Sequence, residues 1–96
     1  MKKVFITRAY LYRLRNEVPF QPLFRKLGWP HKRVGNQLRF VCPICGESQT
    51  SVNPATNLAR CFRCELNWNP IDFTIKVTNN EFTQAIAQLE ELLPNP

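Results

Sequence analysis

A chain of 96 residues, 44% apolar and 21% charged, has the size of one small domain and is not disordered by composition. No stretch approaches the roughly 20 apolar residues of a membrane-spanning helix, so no membrane partner is expected. The net charge of +6 is unevenly spread: residues 1–63 hold twelve Lys/Arg and two acids (net +10), residues 64–96 one Lys and five acids (net −4). A basic front points to a polyanion partner, although a solvated Arg-rich surface is the plainer reading of charge alone.

In chain order, Thr7 reads as an N-cap, and Tyr10, Leu11, Leu14 and Val18 repeat at helical spacing until Pro19. A second short helix is expected from Phe20 to Leu27, with Pro22 in its first turn and Gly28 as its left-handed stop. His31-Lys32-Arg33-Val34 and Gln37 to Val41, joined by Gly35-Asn36, read as a β-hairpin leading into Cys42. Residues 50–53 and 57–60 flank Pro54-Ala55-Thr56 as a second strand–turn–strand and lead into Cys61. Beyond the second cysteine pair, Asn69 caps a helix with Pro70 at its first position and Asp72 in its first turn. Ile71, Ile75 and Thr78 share one face of it, with Phe73 and Val77 beside them, and it stops near Asn79-Asn80. Thr83 is expected to cap a last helix from Gln84 to Leu93, burying Ala85, Ile86, Leu89, Leu92 and Leu93 until 94–96 end it.

Cys42, Cys45, Cys61 and Cys64 have the spacing C-x2-C-x15-C-x2-C. Two cysteines three apart on a tight turn can aim both sulfurs at one ion, and two such knuckles on neighbouring hairpins complete a tetrahedron. Gly46 permits the left-handed turn after the first pair, whereas the second must turn at Glu65 without glycine. Two disulfides and an iron–sulfur cluster are the competing uses of the four thiols; the N-terminus has no signal-peptide h-region, which weighs for a cytoplasmic location and reduced thiols. Four thiolates leave no open coordination position, so one structural Zn2+ is expected, with Arg60 and Arg63 offsetting thiolate charge. His31, the only histidine, lies eleven residues before Cys42 and reads as a surface or turn residue. The fold expected is α+β: a small zinc ribbon, an antiparallel sheet with two cysteine knuckles, flanked by short helices at both ends. The expected organisation is a single domain over 1–96, with a helical lead-in (1–30), the ribbon (31–66) and a C-terminal helix pair (67–96).

No Gly-rich phosphate loop, zincin helix or nucleophile elbow is present, and the acids are scattered, so no catalysis by this chain is expected. Arg39-Phe40, Arg60 and Phe62-Arg63 instead interleave charge and aromatic rings on the ribbon, with Lys32 and Arg33 nearby. Such groups track phosphates and stack on unpaired bases, a pattern suited to single-stranded nucleic acid. The competing use of Phe40 and Phe62 is as packing beneath the metal, and Trp68 reads as a lid on the last two helices.

Cys42-Pro43-Ile44-Cys45, Ser51-Val52-Asn53-Pro54 and Cys61-Phe62-Arg63-Cys64, followed by Ile71, Phe73, Phe82, Ala85 and Ile86, resemble the N-terminal zinc-binding domain of bacterial and phage DNA primases over residues 7–93. Many bacterial members have His where this chain has Cys45; some phage-type members use four cysteines. The resemblance implies a non-catalytic module that recognises the single-stranded DNA template in primer synthesis, working with a primase catalytic domain or replicative helicase in cis or in trans. Nothing in the 96 residues matches the catalytic part. The competing class is a protein–protein adaptor ribbon docking a replication or transcription partner, marked by an exposed apolar patch on the last helix pair. A transcription-type zinc ribbon is a third reading; it would lack the trailing Ile-x-Phe helix.

Overall fold

The computed structural model describes residues 7–48 and 50–93, so residues 1–6 of the expected lead-in and the expected stop at 94–96 lie outside it. The elements run α1 (Arg8–Glu17), α2 (Phe20–Leu27), β1 (His31–Val34), β2 (Gln37–Phe40), β3 (Thr50–Asn53), β4 (Leu58–Cys61), β5 (Leu66–Trp68), α3 (Pro70–Thr78) and α4 (Phe82–Glu90). The strands form one antiparallel sheet in sequence order, β1 to β5.

Local chemistry explains most boundaries. The Thr7 hydroxyl accepts from the Tyr10 amide at 3.1 Å and starts α1. Gly28, at φ 63°, ends α2 in the left-handed region. Asn69 accepts from the Asp72 amide at 2.8 Å ahead of Pro70, and Asn79, at φ 56°, closes α3. The last helix departs from expectation at both ends. Its cap is Glu81, not Thr83: Glu81 and Gln84 bond each other's backbone in a capping box, with the Glu81 amide 3.0 Å from Gln84 Oε1. Regular α-helix ends at Glu90, and Leu92 and Leu93 bond three residues back instead, to Leu89 and Glu90.

One face of the sheet carries the core. In β2 and β4, Leu38, Phe40, Ala59 and Cys61 are buried and alternate with more exposed neighbours. Leu14, Val18, Phe20, Leu23, Phe24, Ile71, Phe73, Ile86 and Leu89 from the four helices and their flanks cover that face in a single cluster. Phe73 is its hub: the rings of Phe20, Phe24, Trp29 and Phe40 meet it edge-on at centroid distances of 6.0, 5.2, 5.9 and 5.7 Å. These are the arrangements that aromatic quadrupoles favour, each about 0.5–1.5 kcal/mol beyond the burial itself. Ile71, rather than Ile75 or Thr78, is the buried partner of Phe73 on α3, together with Pro70 and Thr74.

Polar ties lock the layers. Asn57, held at φ 54° in the β3–β4 turn, donates to the carbonyls of Arg15 and Val18 at 3.0 and 2.7 Å and so satisfies acceptors left over at the end of α1. Glu90 accepts from the Tyr10 hydroxyl at 2.5 Å, and Lys26 on α2 contacts Glu91 and the Gln88 carbonyl. The acidic tail is therefore partly neutralised by the basic front within the helical layer.

Candidate metal centre and nucleic-acid face

The two cysteine pairs sit where β2 and β4 end. In the first knuckle the Cys42 amide donates to the Glu47 carbonyl (2.9 Å) and the Gly46 amide to the Cys42 carbonyl (3.0 Å), with Gly46 at φ 75°. In the second, Glu65 takes the corresponding left-handed turn at φ 58°, which leads directly into β5. The strain of a side chain there is tolerated because the strands on either side pair, Cys61 with Leu66.

Both turns aim their sulfurs at one point. The ligand atoms of Cys42, Cys45, Cys61 and Cys64 all lie within 4.8 Å of one another. Cys42 and Cys64 Sγ are 3.9 Å apart, and Cys45 and Cys61 Sγ 3.5 Å. Four sulfurs each about 2.3 Å from a single ion stand about 3.8 Å apart in a tetrahedron, so the residues fit zinc closely. The cysteines are free of disulfides. The amides of Ile44 and Cys64 point at the sulfurs of Cys42 and Cys61, at 3.5 and 3.3 Å. Backbone amides of the knuckles donate to the sulfurs, that of Arg63 to Cys61 included, while the Arg60 guanidinium lies over Phe62 and bonds Asn67. Without metal, the thiols share charge unequally. A backbone hydrogen bond at Glu47 holds Cys45 down to about 7, the bond to Cys45 pushes Cys64 up to about 12, and burial raises Cys61. Zinc replaces those protons, so its affinity falls as pH falls.

The opposite face of the sheet is polar. Strand register sets Lys32 beside Arg39, Arg39 beside Ser51, Ser51 beside Arg60 and Arg60 beside Asn67. Residues paired across strands point the same way, so these five form one row across all five strands, about 19 Å long at about 4.8 Å per strand. The row contains three cations and no acid. Arg60 lies over the exposed Phe62 ring at 5.7 Å and donates to Asn67 Oδ1 at 3.3 Å.

The expected contact residues are thereby sorted. Lys32, Arg39, Arg60 and Phe62 share this outer side, and Arg63 is exposed on the second knuckle. Arg33 does not join them: it pairs with the buried Leu38, faces the helices and donates to Gln21 on α2 at 2.7 Å. Phe40 is a correction. It is 1% exposed and stacks on Phe24 at 5.3 Å, so it has no free ring face for a base. Trp68 is buried on the inner face within the core cluster. Ser51 and Asn67 complete the row; Ser51 belongs to a motif of the family resemblance, but only the strand register shows that the two stand in line with the cations. His31 opens β1, its ring 5.3 Å from that of Phe24, away from the cysteine cluster.

No described helix is long and apolar enough to cross a membrane. No curated protein matches the chain. The family model for the CHC2 zinc finger, the DnaG-type zinc ribbon, matches residues 6–94. The chain belongs to that family: it is a primase-type zinc-ribbon domain whose four cysteines can hold one zinc ion.

Proposed function

We propose that this member of the CHC2 zinc-finger family binds single-stranded template DNA with the outer face of its sheet and serves primer synthesis as a non-catalytic module. A primase catalytic domain, in cis or in trans, supplies the chemistry, and a replicative helicase is a further partner. The observation that carries the reading is the acid-free row Lys32–Arg39–Ser51–Arg60–Asn67, with the exposed ring of Phe62 beside it. Cations in a line neutralise successive phosphates, and an exposed aromatic stacks on an unpaired base. The zinc holds the hairpins in register and takes no part in the contact.

Fluorescence anisotropy with a labelled single strand tests this. Replacing Arg39, Arg60 and Arg63 with alanine is expected to weaken binding. It should also flatten the salt dependence by about 0.7 in log–log slope for each phosphate no longer neutralised. Unchanged affinity and slope would reject the assignment. The adaptor reading lacks the mark expected of it, because on α3 and α4 Phe82 alone is a large exposed hydrophobic among the described residues; its remaining support is the exposure of Ile44 and Phe62 on the knuckles, 52% and 62%. A partner protein would then seat on the knuckles, and no single strand would bind at low salt.

A further inference from the structure

At the end of the sheet away from the cysteines lies a groove of about 500 Å³, walled by Tyr12, Arg15 and Asn16 of α1 and by Ala55, Thr56, Leu58 and Asn69. We propose that this groove is a second base-stacking subsite, in which Tyr12 stacks on an unpaired base and Arg15 meets its phosphate. The subsite rests on the single-stranded DNA reading above and extends the strand's track off the sheet onto α1.

The volume has room for one nucleotide, since small-molecule sites run from about 300 to 1,000 Å³. Tyr12 is 63% exposed, and neither its ring nor its hydroxyl has a side-chain partner among the described residues. Tyr10, two residues earlier, is by contrast bonded to Glu90. A ring left open beside a groove is a platform on which any base stacks. The charge there has one sign, because no acid lines the groove. Arg15 is exposed; it also borders the cleft that holds Asp72, yet forms no ion pair among the described residues. Arg8 stands one turn before Tyr12 and two before Arg15, on the same side of α1, and is exposed and unpaired in the same sense.

Continuity with the outer face selects a nucleic-acid strand as the occupant. Leu58 shares the outer side of β4 with Arg60, two residues on, which is about 6.6 Å along the strand at about 3.3 Å per residue. Phe62 carries the same line past Arg60 to the knuckle. From one end of β4 to the other the surface therefore offers a ring (Phe62), a cation (Arg60), an apolar step (Leu58) and, across the groove, a second ring (Tyr12). The walls are also held fixed. Asn57 in the β3–β4 turn donates to the Arg15 and Val18 carbonyls, and the Asn16 side-chain amide to the Tyr12 carbonyl at 2.8 Å. A groove already in place spares the bound strand the cost of ordering it.

The experiment is an anisotropy titration of the full chain, zinc-loaded, with oligothymidines of about 4 to about 16 nucleotides, the range of site sizes in single-strand-binding folds. Tyr12→Ala is expected to bind the longest strands about tenfold more weakly with an unchanged salt slope, and the shortest, which the row alone holds, as the wild type does. Tyr12→Phe, which keeps the ring, should bind the long strands like the wild type. Arg15→Ala should flatten the salt slope on the long strands by about 0.7. Both side chains are exposed, so the melting temperature should not move. As a check that needs no variant, iododeoxyuridine placed along the long strand should photocrosslink to Tyr12. Equal binding of the wild type and folded Tyr12→Ala at every length overturns the subsite and leaves the outer-face reading standing. So do crosslinks confined to the sheet, and so does an equal loss on the shortest strands, which would put the ring within the row's own footprint. Absence of any binding at low salt overturns both.

Discussion

The two faces of the sheet differ by one residue of offset and by everything else. Phe40, Ala59 and Trp68 point inward and are buried among helices; their chain neighbours Arg39, Arg60 and Asn67 point outward to solvent. Inner positions are selected for volume, because a tightly packed interior registers the loss of a methylene. Outer positions have few neighbours to satisfy and can carry charge in a line. The strand alternation that builds a core on one side therefore builds a charged row on the other, and a one-residue slip would exchange them. The zinc end joins the two faces, since β2 runs into Cys42 and β4 contains Cys61.

The largest effect should come from that end. Removing zinc with a strong chelator, or replacing Cys61 with alanine, is expected to unfold the chain and abolish both faces together. Structural zinc sites contribute about 10–16 kcal/mol in zinc-finger peptides, against a total stability of about 5–15 kcal/mol for ordinary domains. Metal analysis should return one zinc per folded chain, and circular dichroism should collapse on chelation. Retained strand signal without metal would show that the inner face suffices alone.

Phe73→Ala comes next and separates the faces. Removing the ring that four others meet edge-on should cost about 3–5 kcal/mol, read as a lower urea midpoint. The remaining folded fraction should keep its zinc and its affinity for a single strand, because the outer row points away from Phe73. Affinity falling in step with stability would mean that the inner packing also sets the outer spacing.

How much of the molecule is legible in its sequence follows the same division. Cys42, Cys45, Cys61 and Cys64, the Thr7 and Asn69 caps and the left-handed turn at Glu65 follow from residue type and short spacing, and the structure has them as read. Face assignment is harder. Arg33 and Phe40 look like members of one basic–aromatic patch because they are close in sequence to Lys32 and Arg39, but strand parity turns both to the helical side, where Phe40 is buried and Arg33, still exposed, bonds Gln21. β5 is only three residues, too short for its alternation to stand out, and without it Asn67 has no place in the row. Glu81 is a less common cap than Thr83, and it prevails because Gln84 stands three residues on to reciprocate.

Asn57→Ala probes a smaller tie between the layers. It removes two donated bonds to carbonyls at the end of α1 and leaves alanine strained at φ 54°. The expected loss is about 1–3 kcal/mol, and Asn57→Gly should restore only the backbone share of it. Equal losses for the two variants would place the whole effect in the hydrogen bonds.

The smallest effect lies wholly within the helical layer, where pH isolates it. The Tyr10 phenol donates to Glu90, and burial, reinforced by that carboxylate, pushes its pKa up from 10.0 to about 12. The folded chain thus holds the phenol proton over a range in which the unfolded chain has released it. The contribution to stability is complete below pH 10 and is lost as pH rises towards 12, since over that interval the native state binds more protons. Lysines titrate in the same range, so the readout is the difference in urea midpoint between the wild type and Tyr10→Phe. That difference should be largest at about pH 8 and shrink by about pH 11, with single-strand affinity at the lower pH the same in both. A difference independent of pH would mean that the hydroxyl contributes through packing alone. A change in affinity would mean that the α1–α4 clasp reaches through the core to the charged row, and that the two faces are less independent than their chemistry implies.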